Sequence, residues 1–146
     1  MNQPFYEFAI QDNAQIFDFE SIGKQIIKKK ILYQNTSRKS FYNLALVDVL
    51  EDGSFDDMVE SRNGDMEKIL ATVANTLPFF FEQFPDAIVL FSGSDERRTR
   101  LYQIIINKEV DNLAHTFSFL GINGLNFEQF RKNKTYDGFA IILKKS

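Results

Sequence analysis

The chain has 146 residues, 17 Lys and Arg against 20 Asp and Glu, one His, no Cys and no Trp. No Cys excludes disulfides, thiolate metal sites and a thiol nucleophile, and a single imidazole leaves no material for a His-based zinc site, so no metal is expected. A net charge of -3 and a pI near 5.2 argue against general nucleic-acid binding.

At this length one domain spanning residues 1–146 is expected, able to bury about 68–70% of its unfolded surface. Hydrophobic residues make up 44%, and 16 Phe with 5 Tyr predict a Phe-dominated core. The first 13 residues carry neither a basic start nor an apolar run of signal length. Nowhere do about 18 apolar residues run uninterrupted. A soluble cytoplasmic protein without membrane attachment is therefore expected.

Residues 6–10 read as a short opening strand, and a polar, acidic segment follows to Glu20. From Gly23 onward Ile alternates with Lys, as in a strand with one wet face, and Lys28, Lys29 and Lys30 suit a strand edge that must not pair further. A turn over 37–40 leads to a more central strand at 41–50, a second turn at 51–54 and a short strand at 55–60. The period then changes: Ile69, Leu70, Val73, Ala74, Leu77, Phe80, Phe81 and Phe84 recur at helical steps. Asp65 is the predicted N-cap, and Pro78 predicts a kink or a stop and restart, because it lacks an N–H and crowds the preceding turn. Residues 87–91 form a buried strand. A second helix opens near Asp95 with Leu101, Ile104, Ile105 and Lys108 on its inner face, and apolar spacing permits helix on to Phe119. Residues 136–143 close the chain as a strand. The expected fold is α+β: a mainly antiparallel sheet of about five or six strands covered by two helices, in the order βββ(β)αβαβ, with one parallel pairing through the strand–helix–strand part.

Two strand-to-helix junctions carry the candidate chemistry. In the segment 91–102 a strand ends, Gly93 and Ser94 turn the chain, and a helix opens with Arg97, Arg98 and Arg100. First-turn N–H groups and the helix dipole favour anions there, whereas cations oppose the dipole. The arginines therefore imply either a phosphate or carboxylate clamp, or ion pairs with neighbouring carboxylates. The segment 61–70 repeats the arrangement: Asn63, Gly64 and Asp65 open the first helix, and Lys68 could neutralise an anion, although a simple turn with an N-cap accounts for the same residues. If both helix N-termini meet at one sheet edge, these residues share a site. Tyr102 and Tyr136 are candidates for proton donors or stacking platforms, or simply buried tyrosines. His115 is a lone imidazole on a predicted helix. No Walker-type loop, GxGxxG, HExxH, GxSxG or EF-hand pattern is present.

At these junctions the sequence resembles a domain-of-unknown-function family of small bacterial proteins of about this length. The resemblance rests on an opening YxF at Tyr6, Asn43-Leu44-Ala45, an NGDxxKxLATVA helix start at residues 63–74, and GSxxxRTRLY at residues 93–102. Within that last motif the first Arg is Arg98. The resemblance brings no established activity, and it leaves any cofactor unknown. The second half is also similar in element order to GNAT-type acyltransferases, which run strand, phosphate-binding turn, helix, strand, helix with a late Tyr, then closing strands. That resemblance implies acyl-CoA at Asn63, Gly64 and Asp65 and an acid role for Tyr102. Residues 62–67 read RNGDME, departing from the Q/R-x-x-G-x-G/A pattern of that family. The functions implied are recognition of a nucleotide or phosphorylated ligand, a GNAT-like transferase, or a non-catalytic protein–protein module.

Overall fold

A computed structural model describes residues 4–56, 64–91 and 96–145; within the second helix the side chains of Arg98, Leu101 and Ile105 lie outside the described set. Nine strands and two long helices appear in the order β1 (Ala9–Gln11), β2 (Ile16–Ile22), β3 (Ile26–Asn35), β4 (Phe41–Val49), β5 (Phe55–Asp56), α1 (Met66–Gln83), β6 (Ile88–Phe91), α2 (Glu96–Leu113), β7 (Phe117–Asn123), β8 (Asn126–Gln129) and β9 (Gly138–Leu143). The fold is α+β with a mostly antiparallel sheet and two principal helices, and its nine strands exceed the five or six expected. No described helix is long and apolar enough to cross a membrane.

The chain divides into two compact units, Met1–Gln34 with Leu44–Phe84, and Asn35–Asn43 with Pro85–Ser146. In the first unit the strands are hydrogen-bonded in the order β1-β2-β3-β4, with β5 also on β4. Strand β2 lies largely in the segment read from sequence only as polar and acidic, with no element assigned. Phe17, Phe19 and Ser21 point inward, while Asp18 and Glu20 face outward opposite Lys30 and Lys28. Strand β3 is therefore an interior strand, and its lysines are not an edge guard. Lys30 pairs with Asp18 at 2.5 Å, and the fully buried Lys29 pairs with Asp48 of β4.

Helix α1 runs unbroken from Met66 to Gln83 with Pro78 inside it, so the expected stop and restart does not occur. Pro78 itself is exposed, while ten other residues of the helix are buried. Each fully buried aliphatic or aromatic side chain stabilises by about 1.5–3 kcal/mol, which outweighs the roughly 3 kcal/mol that an internal proline costs. The helix is tied to β3 through Tyr33, whose ring stacks on Phe80 at 4.1 Å and whose hydroxyl meets Thr76 Oγ1 at 2.7 Å. Burial drives the Tyr33 hydroxyl pKa upward, against the lowering effect of Thr76.

In the second unit the order is β6-β9-β7-β8, and the opening residues of β4 pair in parallel with β6, Phe41 to Ile88 through Asn43 to Leu90. This is the parallel pairing expected of the strand–helix–strand part, with β4 as the partner. Helix α2 ends at Leu113, earlier than its apolar spacing suggested. Thr116 N–H bonds the Leu113 carbonyl in a turn, and Phe117–Asn123 pairs with β9 from Phe117–Leu143 to Ile122–Gly138. Continuing the helix would have forfeited that ladder. The inner face of α2 carries Tyr102 and Ile106, both buried, whereas Ile104 is exposed and Lys108 faces outward.

Candidate functional site

The junction before α1 lies in the first unit. Asn63 is outside the described residues. Gly64 has φ +71°, a left-handed conformation that strains any side-chain-bearing residue, and no atom would meet a Cβ there. Asp65 holds the N-cap position but makes no side-chain capping bond. Its carboxylate instead accepts from Tyr6 Oη at 2.5 Å and from the buried Ser21 hydroxyl. Tyr6 completes the knot: its N–H donates to Thr72 Oγ1 at 2.9 Å and its Oη accepts from the Ile22 N–H at 3.0 Å. Burial, then the Asp65 carboxylate, raises the Tyr6 pKa above its ordinary value. Lys68 lies 4.3 Å above the Tyr6 ring in a cation–π contact. Asp65 and Lys68 thus anchor the opening segment and β2 to the start of α1.

The junction before α2 lies in the second unit. Gly93 and Ser94 are outside the described residues, as is the Arg98 side chain. Tyr102 is buried with its ring 4.7 Å from that of Phe91. Arg100 is exposed and lines a cavity of about 650 Å³. One wall of that cavity is a single face of α2: Glu96, Thr99, Arg100, Gln103, Ile104 and Asn107 recur at steps of three and four, the spacing of neighbours on a helix surface. The other wall is the loop before β9, with Asn133, Thr135, Tyr136 and Asp137. Gln103 joins the walls by donating from Nε2 to the Lys134 carbonyl.

The loop is held rigidly. Tyr136 is buried, donates its hydroxyl to Glu128 at 2.8 Å and accepts the Arg131 N–H at 3.1 Å. Its ring occupies the space beside Gly121 where a Cβ would lie only 2.2 Å away. Burial first, then the Glu128 carboxylate, raises the Tyr136 pKa, while Lys134 and Tyr136 together hold Glu128 below its ordinary value. Asp137 accepts the Gly124 N–H at 3.0 Å. Tyr136 is therefore a structural post of the cavity wall.

The electrostatics of the cavity are uncompensated. Glu96, Arg100 and Asp137 make no ion pair among the described residues, although Glu96 and Arg100 are four residues apart on one helix face. The nearby Lys132 and Lys134 are already paired with Asp111 and Glu128. Asn107 Oδ1 is buried without a hydrogen-bond partner among the described residues, a condition that costs about 1–3 kcal/mol. No group of three or more His, Asp or Glu among the described residues could hold a metal ion. His115 sits exposed in the turn after α2 and not within a helix.

Of the residues named from sequence, the cavity thus includes Arg100 and Tyr136. Glu96, Gln103, Asn107 and Asp137 were missed, although the polar spacing along α2 was visible. The apolar period of α2 overlies a second, polar stripe along the same helix.

A model of the family of unknown function DUF6934 matches residues 2–144, and the chain belongs to that family. No curated protein and no solved structure matches the chain.

Proposed function

We propose that the second unit recognises a small anionic ligand, phosphorylated or a nucleotide, seated in the cavity between α2 and residues 133–137 with Arg100 as its counter-charge. The observation that carries this reading is an arginine on the wall of a ligand-sized cavity with no ion pair among the described residues. A guanidinium forms strong, bidentate hydrogen bonds with phosphate or carboxylate. The neighbouring hydroxyl and amide groups of Thr99 and Gln103 supply further polar contacts for such a ligand.

A thermal-shift panel of inorganic phosphate, ATP, GTP, NAD, ADP-ribose, acetyl-CoA and a short RNA tests it. A ligand at a hundred times its dissociation constant stabilises by about 2.7 kcal/mol, a shift of several degrees at this size. Arg100→Ala, an exposed site, should abolish that shift while changing the unliganded stability by no more than about 0.5 kcal/mol. A shift retained in Arg100→Ala overturns the assignment.

A GNAT-like transferase is the second reading, favoured by the parallel pairing of β4 with β6, a crossover that contains β5 and α1. It requires acyl-CoA at residues 62–68, so an acetyl-CoA arm without effect removes it. No shift with any compound would favour a protein partner, for which the exposed Leu125 and Phe127 around the β7–β8 turn are the first residues to substitute.

A further inference from the structure

The cavity carries charges of both signs, and this narrows the ligand beyond its anionic group. Arg100 is accompanied on the walls by Glu96, one helical turn earlier on α2, and by Asp137 on the facing loop. Among the described lining residues the two carboxylates outnumber the one guanidinium. Two lysines of the loop before β9, Lys132 and Lys134, are committed to Asp111 and Glu128. A ligand with only negative charge would be attracted by Arg100 and opposed by both carboxylates.

We propose, building on the anion reading above, that the ligand is a zwitterion: a phosphate ester that also carries a protonated amine. Its phosphate engages Arg100, and its ammonium is taken up by Glu96 and Asp137. The geometry of α2 suits such a molecule. Side chains four apart on a helix surface stand about 5–6 Å apart at their Cβ atoms, a separation that a two-carbon bridge between amine and phosphate can span. The rest of the wall offers amides and a hydroxyl from Gln103, Asn107 and Thr135 beside the apolar Ile104, which suits a body of mixed polarity. Glu96 has no ion-pair partner among the described residues, and Asp137 keeps acceptor capacity beyond its one bond to Gly124. Both carboxylates are therefore available to an ammonium.

The test is titration calorimetry of the full chain with phosphoethanolamine and with glycerol 3-phosphate, which keeps the phosphate and lacks the amine. Phosphoethanolamine should bind at least about tenfold tighter, the worth of one charge-assisted hydrogen bond. In the Glu96→Gln/Asp137→Asn variant that preference should disappear while glycerol 3-phosphate still binds; the asparagine retains an oxygen for the Gly124 N–H. Arg100→Ala should lose both compounds. Flotation with phosphatidylethanolamine vesicles, set against phosphatidylglycerol vesicles, separates the two sources of this chemistry: selective capture on the former, without binding of the free compound, assigns the site to a lipid headgroup. Equal affinity for the two soluble compounds in the wild type, with no vesicle selectivity, overturns the zwitterion and leaves the anion reading standing. So does a preference that survives the double variant. Failure of both compounds together with the whole nucleotide panel, and of both vesicles, overturns the anion reading and this inference with it.

Discussion

Replacing Gly121 with alanine puts a methyl group where the Tyr136 ring already is. The new Cβ would lie 2.2 Å from Tyr136 Cε1 and 2.4 Å from Cδ1 and Cζ, closer than non-bonded carbons approach. Gly121 sits within β7 opposite Phe139 of β9, so the backbone can retreat only by breaking its ladder. The ring must yield instead. Overpacking of this kind costs about 1–3 kcal/mol. If the ring leaves, it also gives up packing on Phe130 at 5.6 Å and Phe139 at 6.0 Å, and two hydrogen bonds at 2.8 and 3.1 Å, each worth about 1 kcal/mol. The sum is a loss of about 3–5 kcal/mol, or roughly 6–20 °C in melting temperature for a chain of this size. Urea denaturation of Gly121→Ala, Tyr136→Ala and the double variant measures it. Removing the ring removes the clash, so the double variant should be no less stable than Tyr136→Ala alone. A Gly121→Ala protein within about 0.5 kcal/mol of wild type would refute the argument.

Two further outcomes concern buried and titrating groups. Lys29→Met leaves the Asp48 carboxylate, only 18% exposed, without its cation, and should cost about 3–5 kcal/mol in chemical denaturation. Changing both residues to apolar side chains of similar volume should restore most of that loss; a single variant as stable as wild type would show that the pair contributes nothing. In the second unit, Glu128 is held below its ordinary value of 4.5, so its contribution is complete above that pH and is lost as pH falls through the depressed folded value. Tyr136 is raised above 10.0, so its contribution is complete below that pH and is lost as pH climbs through the raised folded value. Melting curves across pH should fall at both extremes, and Glu128→Gln should flatten the acid side. Superimposable acid limbs for the two proteins would count against the Glu128 link.

The helices were legible because their signal is local. The apolar steps from Ile69 to Phe84 are a property of that segment, and they placed α1 within two residues of its observed end. The four-strand part of the first unit was legible except for β2, where Asp18 and Glu20 masked the alternation of Phe17 and Phe19. The acidic residues there have a purpose that appears only across strands, opposite Lys30 and Lys28. The same holds for Lys29, whose burial depends on Asp48 arriving from β4.

Strand β7 shows the limit most plainly. Val110, Leu113, Ala114 and Phe117 fit a helix as well as anything local can tell. Pairing of Phe117–Asn123 with β9 decided otherwise, and that ladder joins residues more than fifteen positions apart. Arg100 was recognised as a cation in need of an anion, whereas Asp137 and Asn107 were not connected with it. Composition, periodicity and the run of arginines determined the fold class, both helices and Arg100 as a candidate by themselves. Which residues face that cation was settled only by the tertiary structure. Facing residues are brought together by strand pairing and by a glycine that leaves room for a tyrosine, and neither leaves a periodic trace in the chain.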